Sequence, residues 1–126
     1  MDEKEKRKLM IVDNEVGLCE IFQSHFQKKG YVVKFATSAE AALSLIKENN
    51  FQIMVVDKRM PGLSGIELVR QVRQFNQELR VIMLSADTLD TEMEEEMQRL
   101  DILAYLEKPI PLPALDAALE KAVSRR

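Results

Sequence analysis

The residues of this chain that can do chemistry stand where short apolar runs end. Asp13, Asn14 and Glu15 follow the run 9–12, Asp57 follows 52–56, Ser85 follows 81–84, and Lys108 with Pro109 follows a weaker run at 104–106. Brought together, Asp13 and Asp57 would repel, and their pKa values would climb unless a cation sat among them. Magnesium suits that pair, because it takes oxygen ligands, uses one or two protein carboxylates and keeps several waters. Lys108 adds a second positive charge and Ser85 a hydroxyl donor. Metal, ammonium and hydroxyl together bind a phosphoryl group, and Asp57 in their midst is placed to be the nucleophile that accepts it.

Convergence of these residues requires elements that bring their run ends to one edge. The apolar runs 9–12, 31–35, 52–56, 81–84 and 104–106 have strand length, and most are rich in Val or Ile. Helical spacing falls between them. Leu112, Leu115, Ala118, Leu119 and Ala122 draw one apolar stripe, and Leu18, Phe22 and Phe26 draw another. Thr37 and Glu40 stand as a capping box before Ala41 and Ala42, and Gly30 falls where the first helix should stop. Five strands alternating with five helices, the inner strands apolar on both faces, specify an α/β fold: a parallel sheet covered on both sides by right-handed crossovers. In such a doubly wound sheet the site lies beyond the carboxyl ends of the strands, where the reactive residues stand.

Composition narrows the class. The chain has 126 residues, 46% of them apolar, enough for one domain with a real core. Eighteen Lys and Arg against 21 Asp and Glu give a net charge of −3, which offers no basis for a nucleic-acid surface. Cys19 is the single cysteine, so no internal disulfide or cysteine-rich zinc cluster can form, and a cytoplasmic, reducing location is expected. No apolar run is long enough to cross a bilayer, so no membrane partner is expected. Residues 1–8 read as a charged, solvated leader and 9–126 as the folded domain. Asp87, Asp90, Glu92, Glu94, Glu95 and Glu96 crowd the segment 87–96 without a cation. They suit a solvated helix start, favoured by the helix dipole, and equally a surface for a basic partner. His25, with no second histidine in the chain, reads as a surface or partly packed residue, and Cys19 as core.

Spread over four strand ends, these motifs resemble the receiver domain of bacterial response regulators, from Leu9 onward. Val12-Asp13-Asn14-Glu15 resembles the family's first acidic motif, and Asp57-Lys58-Arg59-Met60-Pro61-Gly62-Leu63-Ser64-Gly65 its phosphoacceptor segment. Ser85-Ala86 matches the hydroxyl followed by a small residue, and Tyr105 with Lys108-Pro109 matches the switch aromatic and lysine. The resemblance implies a flavodoxin-like sheet in the order 2-1-3-4-5. It implies that Asp57 takes a phosphoryl group, with Mg2+, from a sensor histidine kinase or histidine phosphotransfer protein. Asp13 would hold the ion largely through water, Asp57 directly and Arg59 by its backbone carbonyl, with Lys108 pairing to the acyl phosphate. Family members commonly hold the bond matching Lys108–Pro109 cis. Ser85 and Tyr105 would be the switch: Ser85 moves onto the phosphoryl group and the Tyr105 ring turns in from outside, altering the face of helix four, strand five and helix five. Implied partners are a downstream effector or attached output domain and a phosphorylation-dependent homodimer.

Asn14 departs from the pattern, since most members carry a second Asp there, usually the direct metal ligand. A neutral amide should weaken magnesium binding. Two further positions tune dephosphorylation in the family, here Arg59, which would shield the acyl phosphate, and Asp87, which would orient a water. Competing classes fare less well. A degenerate receiver binding partners without phosphorylation is motivated by Asn14 and opposed by the joint presence of Asp57, Ser85 and Lys108. An aspartate-based phosphatase would need a second Asp where Arg59 stands, and a flavodoxin would need a phosphate loop where Asp13-Asn14-Glu15 would repel one. The chain is expected to act on itself alone, not as an enzyme on an outside substrate.

Overall fold

In the computed structural model, which describes residues 7–124, five strands and five helices alternate strictly. The strands are β1 (Lys8–Val12), β2 (Val32–Ala36), β3 (Ile53–Asp57), β4 (Arg80–Ser85) and β5 (Ile102–Glu107). The helices are α1 (Val16–Lys28), α2 (Ala39–Glu48), α3 (Gly65–Arg73), α4 (Thr91–Leu100) and α5 (Leu112–Ser124). All strand pairs are parallel and the order is β2-β1-β3-β4-β5, as expected. Most of the leader expected over 1–8 lies outside the described residues. Lys8 itself opens β1 beside Val32.

Period-two alternation on the inner strands divides the core into two layers. Met10, Val12, Met54, Val56, Val81 and Met83 face α2, α3 and α4, where they meet Ala42, Leu68, Val72 and Met93. Leu9, Ile11, Ile53, Val55, Ile82 and Leu84 face α1 and α5, where they meet Cys19, Phe22, Phe26, Leu115 and Leu119. Strands buried on both faces must be apolar throughout, which is why β1, β3 and β4 read as runs, while the edge strands β2 and β5 do not.

Helix ends account for the differences from the expected boundaries. Gly30, at φ 96°, closes α1: its N–H donates to the Gln27 carbonyl while that of Tyr31 donates to Phe26. This is the left-handed stop that glycine favours, and the Tyr31 ring packs edge-on to Phe26 at 5.6 Å. Tyr31 thus belongs to the helix stop, and β2 starts one residue later than the apolar run. Thr37 does not cap α2. Ser38 does, its hydroxyl accepting from Ala41 N–H at 3.1 Å, which places Glu40 too early in the helix to complete a capping box. Asp101 takes a left-handed conformation at φ 54° to end α4, so β5 begins at once with Ile102, earlier than its weak apolar run suggested.

Candidate functional site

The order in which strands are added reverses between β1 and β3, since β2 is laid on one side of β1 and β3 on the other, and a crevice is expected there at the carboxyl ends. Register puts Val12 beside Val56, so Asp13 and Asp57 emerge side by side. Pairing continues past the strands: Asp13 N–H donates to the Ala36 carbonyl, Lys58 N–H to Leu84 at 2.8 Å and Lys108 N–H to Ser85 at 2.7 Å. Backbone hydrogen bonds therefore hold the reactive residues on the sheet itself.

Both carboxylates are buried, Asp13 completely and Asp57 to 6% exposure. The Lys108 ammonium bridges them, 2.9 Å from Asp13 Oδ2 and 3.3 Å from Asp57 Oδ2. Asp13 Oδ1 also accepts the Glu15 N–H at 2.9 Å, whereas Asp57 Oδ1 has only a long contact, 3.4 Å, to Arg59 N–H. Burial, followed by the charge of Asp13, pushes the Asp57 carboxyl above the ordinary Asp range despite Lys108. Burial pulls Lys108 down, but hydrogen bonding and charge from Asp13, then the charge of Asp57, outweigh it and leave Lys108 raised. Two acids and one ammonium leave a surplus negative charge at the strand ends.

The donor set suits magnesium. No group of three or more His, Cys, Asp or Glu gathers among the described residues. A cation here would rest on Asp13, Asp57, the exposed Asn14 amide or the Arg59 carbonyl, and water, the sparse carboxylate set that this ion accepts. The Lys108–Pro109 peptide bond is cis.

Across the crevice, Ser85 is fully buried and its Oγ accepts the Asp87 N–H at 3.0 Å. The Tyr105 ring lies against the core layer of α2–α4 and its hydroxyl donates to the Asp87 carbonyl at 2.7 Å. Tyr105 is thus turned inward here, with Ser85 engaged by the loop. Arg59 and Asp87, read from sequence as acting in opposite directions, hold one another: Nε donates to Oδ2 at 2.5 Å, and Lys58 Nζ lies 3.7 Å from the same oxygen. These cations lower the Asp87 pKa, the Arg59 hydrogen bond most.

Two further residues matter to the site. A side chain at Gly65 would put its Cβ 2.2 Å from the Asp57 carbonyl oxygen, so only glycine lets α3 start against the strand end that carries Asp57. The residue was visible only as part of a motif, since the close approach is a tertiary fact. Lys58, whose side chain is 17% exposed, lies largely inside the loop. Of the acidic segment, Asp90 caps α4 by accepting Met93 N–H at 2.8 Å, and Glu96 pairs with Arg70 and Arg99. Glu92, Glu94 and Glu95 stay exposed. His25 Nε2 bonds Asp116 of α5 at 2.8 Å, with Lys29 on the other oxygen, and so ties α1 to α5. The Cys19 thiol donates to the Asp13 carbonyl, and burial pushes its pKa up to about 11, which keeps it in the thiol form at neutral pH.

A parallel five-stranded sheet with two acids, a hydroxyl and a lysine at its strand ends defines a signalling receiver, and sequence comparison agrees. The model of the response regulator receiver domain matches residues 9–120, and the chain belongs to that family. It is 30% identical over 116 residues to the transcriptional regulatory protein ZraR of Escherichia coli K12, covering 92% of this chain but only 26% of that protein. It is 26% identical over 114 residues to sporulation initiation phosphotransferase F of Bacillus subtilis, covering 90% and 91% of the two chains. Among solved structures, the receiver domain of Francisella response regulator 1452 matches with a TM-score of 0.85 at 29% identity, over 94% of this chain and 98% of that one. The chain is therefore a receiver domain of two-component response regulators, and among the described residues no helix is long and apolar enough to cross a membrane.

Proposed function

We propose that Asp57 accepts a phosphoryl group from the phosphohistidine of a sensor histidine kinase or histidine phosphotransfer protein, with Mg2+ bound in the crevice. The observation that carries this reading is the Lys108 ammonium bridging two buried carboxylates whose charges it cannot both neutralise. An Asp57 oxygen attacks phosphorus, the P–N bond of the donor breaks, and its electron pair stays on the imidazole nitrogen. Bound magnesium would supply charge neutralisation for the phosphoryl oxygens. Asp13 and Asp57, with Asn14 and the Arg59 carbonyl, would hold it. Lys108, released from sharing, pairs with the acyl phosphate, and Ser85 Oγ lies on the neighbouring strand end to donate to it. The change then passes through residues 86–90 and Tyr105 to the face of α4, β5 and α5, altering the binding of a downstream effector, an output domain or a second copy.

A phosphorylation-independent interaction module is the alternative, favoured by one observation, the neutral Asn14 at the mouth of the acid pair. Intact mass after incubation with acetyl phosphate separates the two. The expected result is an adduct of one phosphoryl group that needs Mg2+ and disappears in Asp57→Ala. Absence of an adduct, with no binding of a beryllofluoride mimic, would establish the alternative instead.

A further inference from the structure

Residues 86–89, between β4 and α4, are tied down at a single point. Leu89 packs its side chain on the core, but among the described residues every hydrogen bond made by 86–89 belongs to Asp87. That residue is held by three hydrogen bonds, and Lys58 Nζ stands 3.7 Å from its carboxylate. Its N–H donates to Ser85 Oγ at 3.0 Å, its carboxylate holds Arg59 at 2.5 Å, and its carbonyl takes the Tyr105 hydroxyl at 2.7 Å. The carboxylate and the carbonyl sit on one residue, so the position of the acceptor for Tyr105 depends on where Arg59 holds the side chain. Arg59, 73% exposed, makes no hydrogen bond to Tyr105.

We infer that the Arg59–Asp87 ion pair presets the switch, holding the Asp87 carbonyl beneath Tyr105 in the chain that carries no phosphoryl group, which makes Asp87 a positioning residue for the aromatic. The consequence rests on the proposed role of Tyr105: the unmodified protein already populates the ring-inward conformer, and phosphorylation adds to a bias the pair has set. An exposed ion pair contributes little to global stability. Shifting a loop equilibrium a few-fold asks no more of it. Because the pair is open to solvent, salt should weaken the bias.

The chain has no tryptophan and two tyrosines, so in a Tyr31→Phe background the intrinsic emission comes from Tyr105 alone. Acrylamide quenching of that emission is measured in the unmodified protein for the background, Arg59→Ala, Asp87→Ala and the double variant, with circular dichroism to verify folding. The expected result is a roughly two-fold or greater rise in the quenching constant in each single variant. The double variant should match Asp87→Ala, because that change alone already removes the Arg59 pair together with the Lys58 contact. Added sodium chloride at 0.5 M should raise quenching in the background and not in the variants that lack the Asp87 carboxylate. Unchanged quenching in Arg59→Ala, or additive effects in the double variant, would overturn the inference. The readout needs no phosphoryl group, so failure of Asp57 to be phosphorylated would leave this result standing and remove only its consequence for signalling.

Discussion

The two flanks of the crevice are built differently. On one flank, Asp13 and Asp57 close strands whose described side chains are buried almost without exception, and both the chain beyond them and their carboxylates are held by backbone hydrogen bonds and Lys108. On the other, the run from Ala86 to Leu100 packs Leu89, Met93, Met97 and Leu100 on the core and is otherwise held by polar contacts. Helix α4 buries only Met93 and meets α3 through the Arg70–Glu96 pair, while the Arg73 guanidinium, from α3, caps its far end on the Leu100 and Asp101 carbonyls. Chemistry needs fixed geometry, and switching needs an element whose attachment costs little to change. Under the proposed function, each flank meets one of these requirements.

The largest expected effect comes from disturbing the rigid flank. Gly65→Ala would force a methyl group against the Asp57 backbone, which cannot move without breaking the sheet. We expect a loss of about 2 kcal/mol in denaturant unfolding, with slowed phosphoryl uptake. Wild-type values for both would show that this flank yields more than described.

Asp57→Asn tests the surplus charge. It leaves Lys108 paired with Asp13 and removes an acid whose folded pKa is raised. A raised acid makes the folded chain bind more protons than the unfolded one, so stability falls as pH rises from the ordinary Asp range through the folded pKa. The variant should therefore be more stable at pH 7, by about 1 kcal/mol, and the gain should vanish where wild-type Asp57 is protonated. Thermal melts at neutral and acidic pH measure this, and an equal gain at both would point to packing instead of charge.

At the exposed mouth the expected effect falls on ion binding and leaves stability nearly untouched. Asn14→Asp adds a third carboxylate near the cation position and should tighten Mg2+ roughly ten-fold in a fluorescence or NMR titration. Unchanged affinity would mean that Asn14 lies outside the coordination sphere.

The rigid flank is also the more legible one in the amino-acid sequence. Apolar runs that must be buried on both faces announce themselves, so β1, β3 and β4 and the reactive residues ending them can be read residue by residue. Ser38 displaces Thr37 as a cap because two adjacent hydroxyls serve equally until backbone geometry selects one. The start of β5 is hidden because Asp101, a left-handed residue that is not glycine, gives no local sign that a strand begins after it. The Arg59–Asp87 pair joins residues 28 apart, and no local pattern records such a contact. The switching flank is made of such contacts, so its arrangement emerges only in three dimensions.

Hydrogen exchange of the wild type, with and without Mg2+ and beryllofluoride, tests the division between the flanks most directly. The account predicts altered protection confined to residues 86–108 and α5, with the amides of β1, β3 and α1 unchanged beyond the residues next to Asp13 and Asp57. A uniform change across the sheet, or none at α4 and β5, would contradict it.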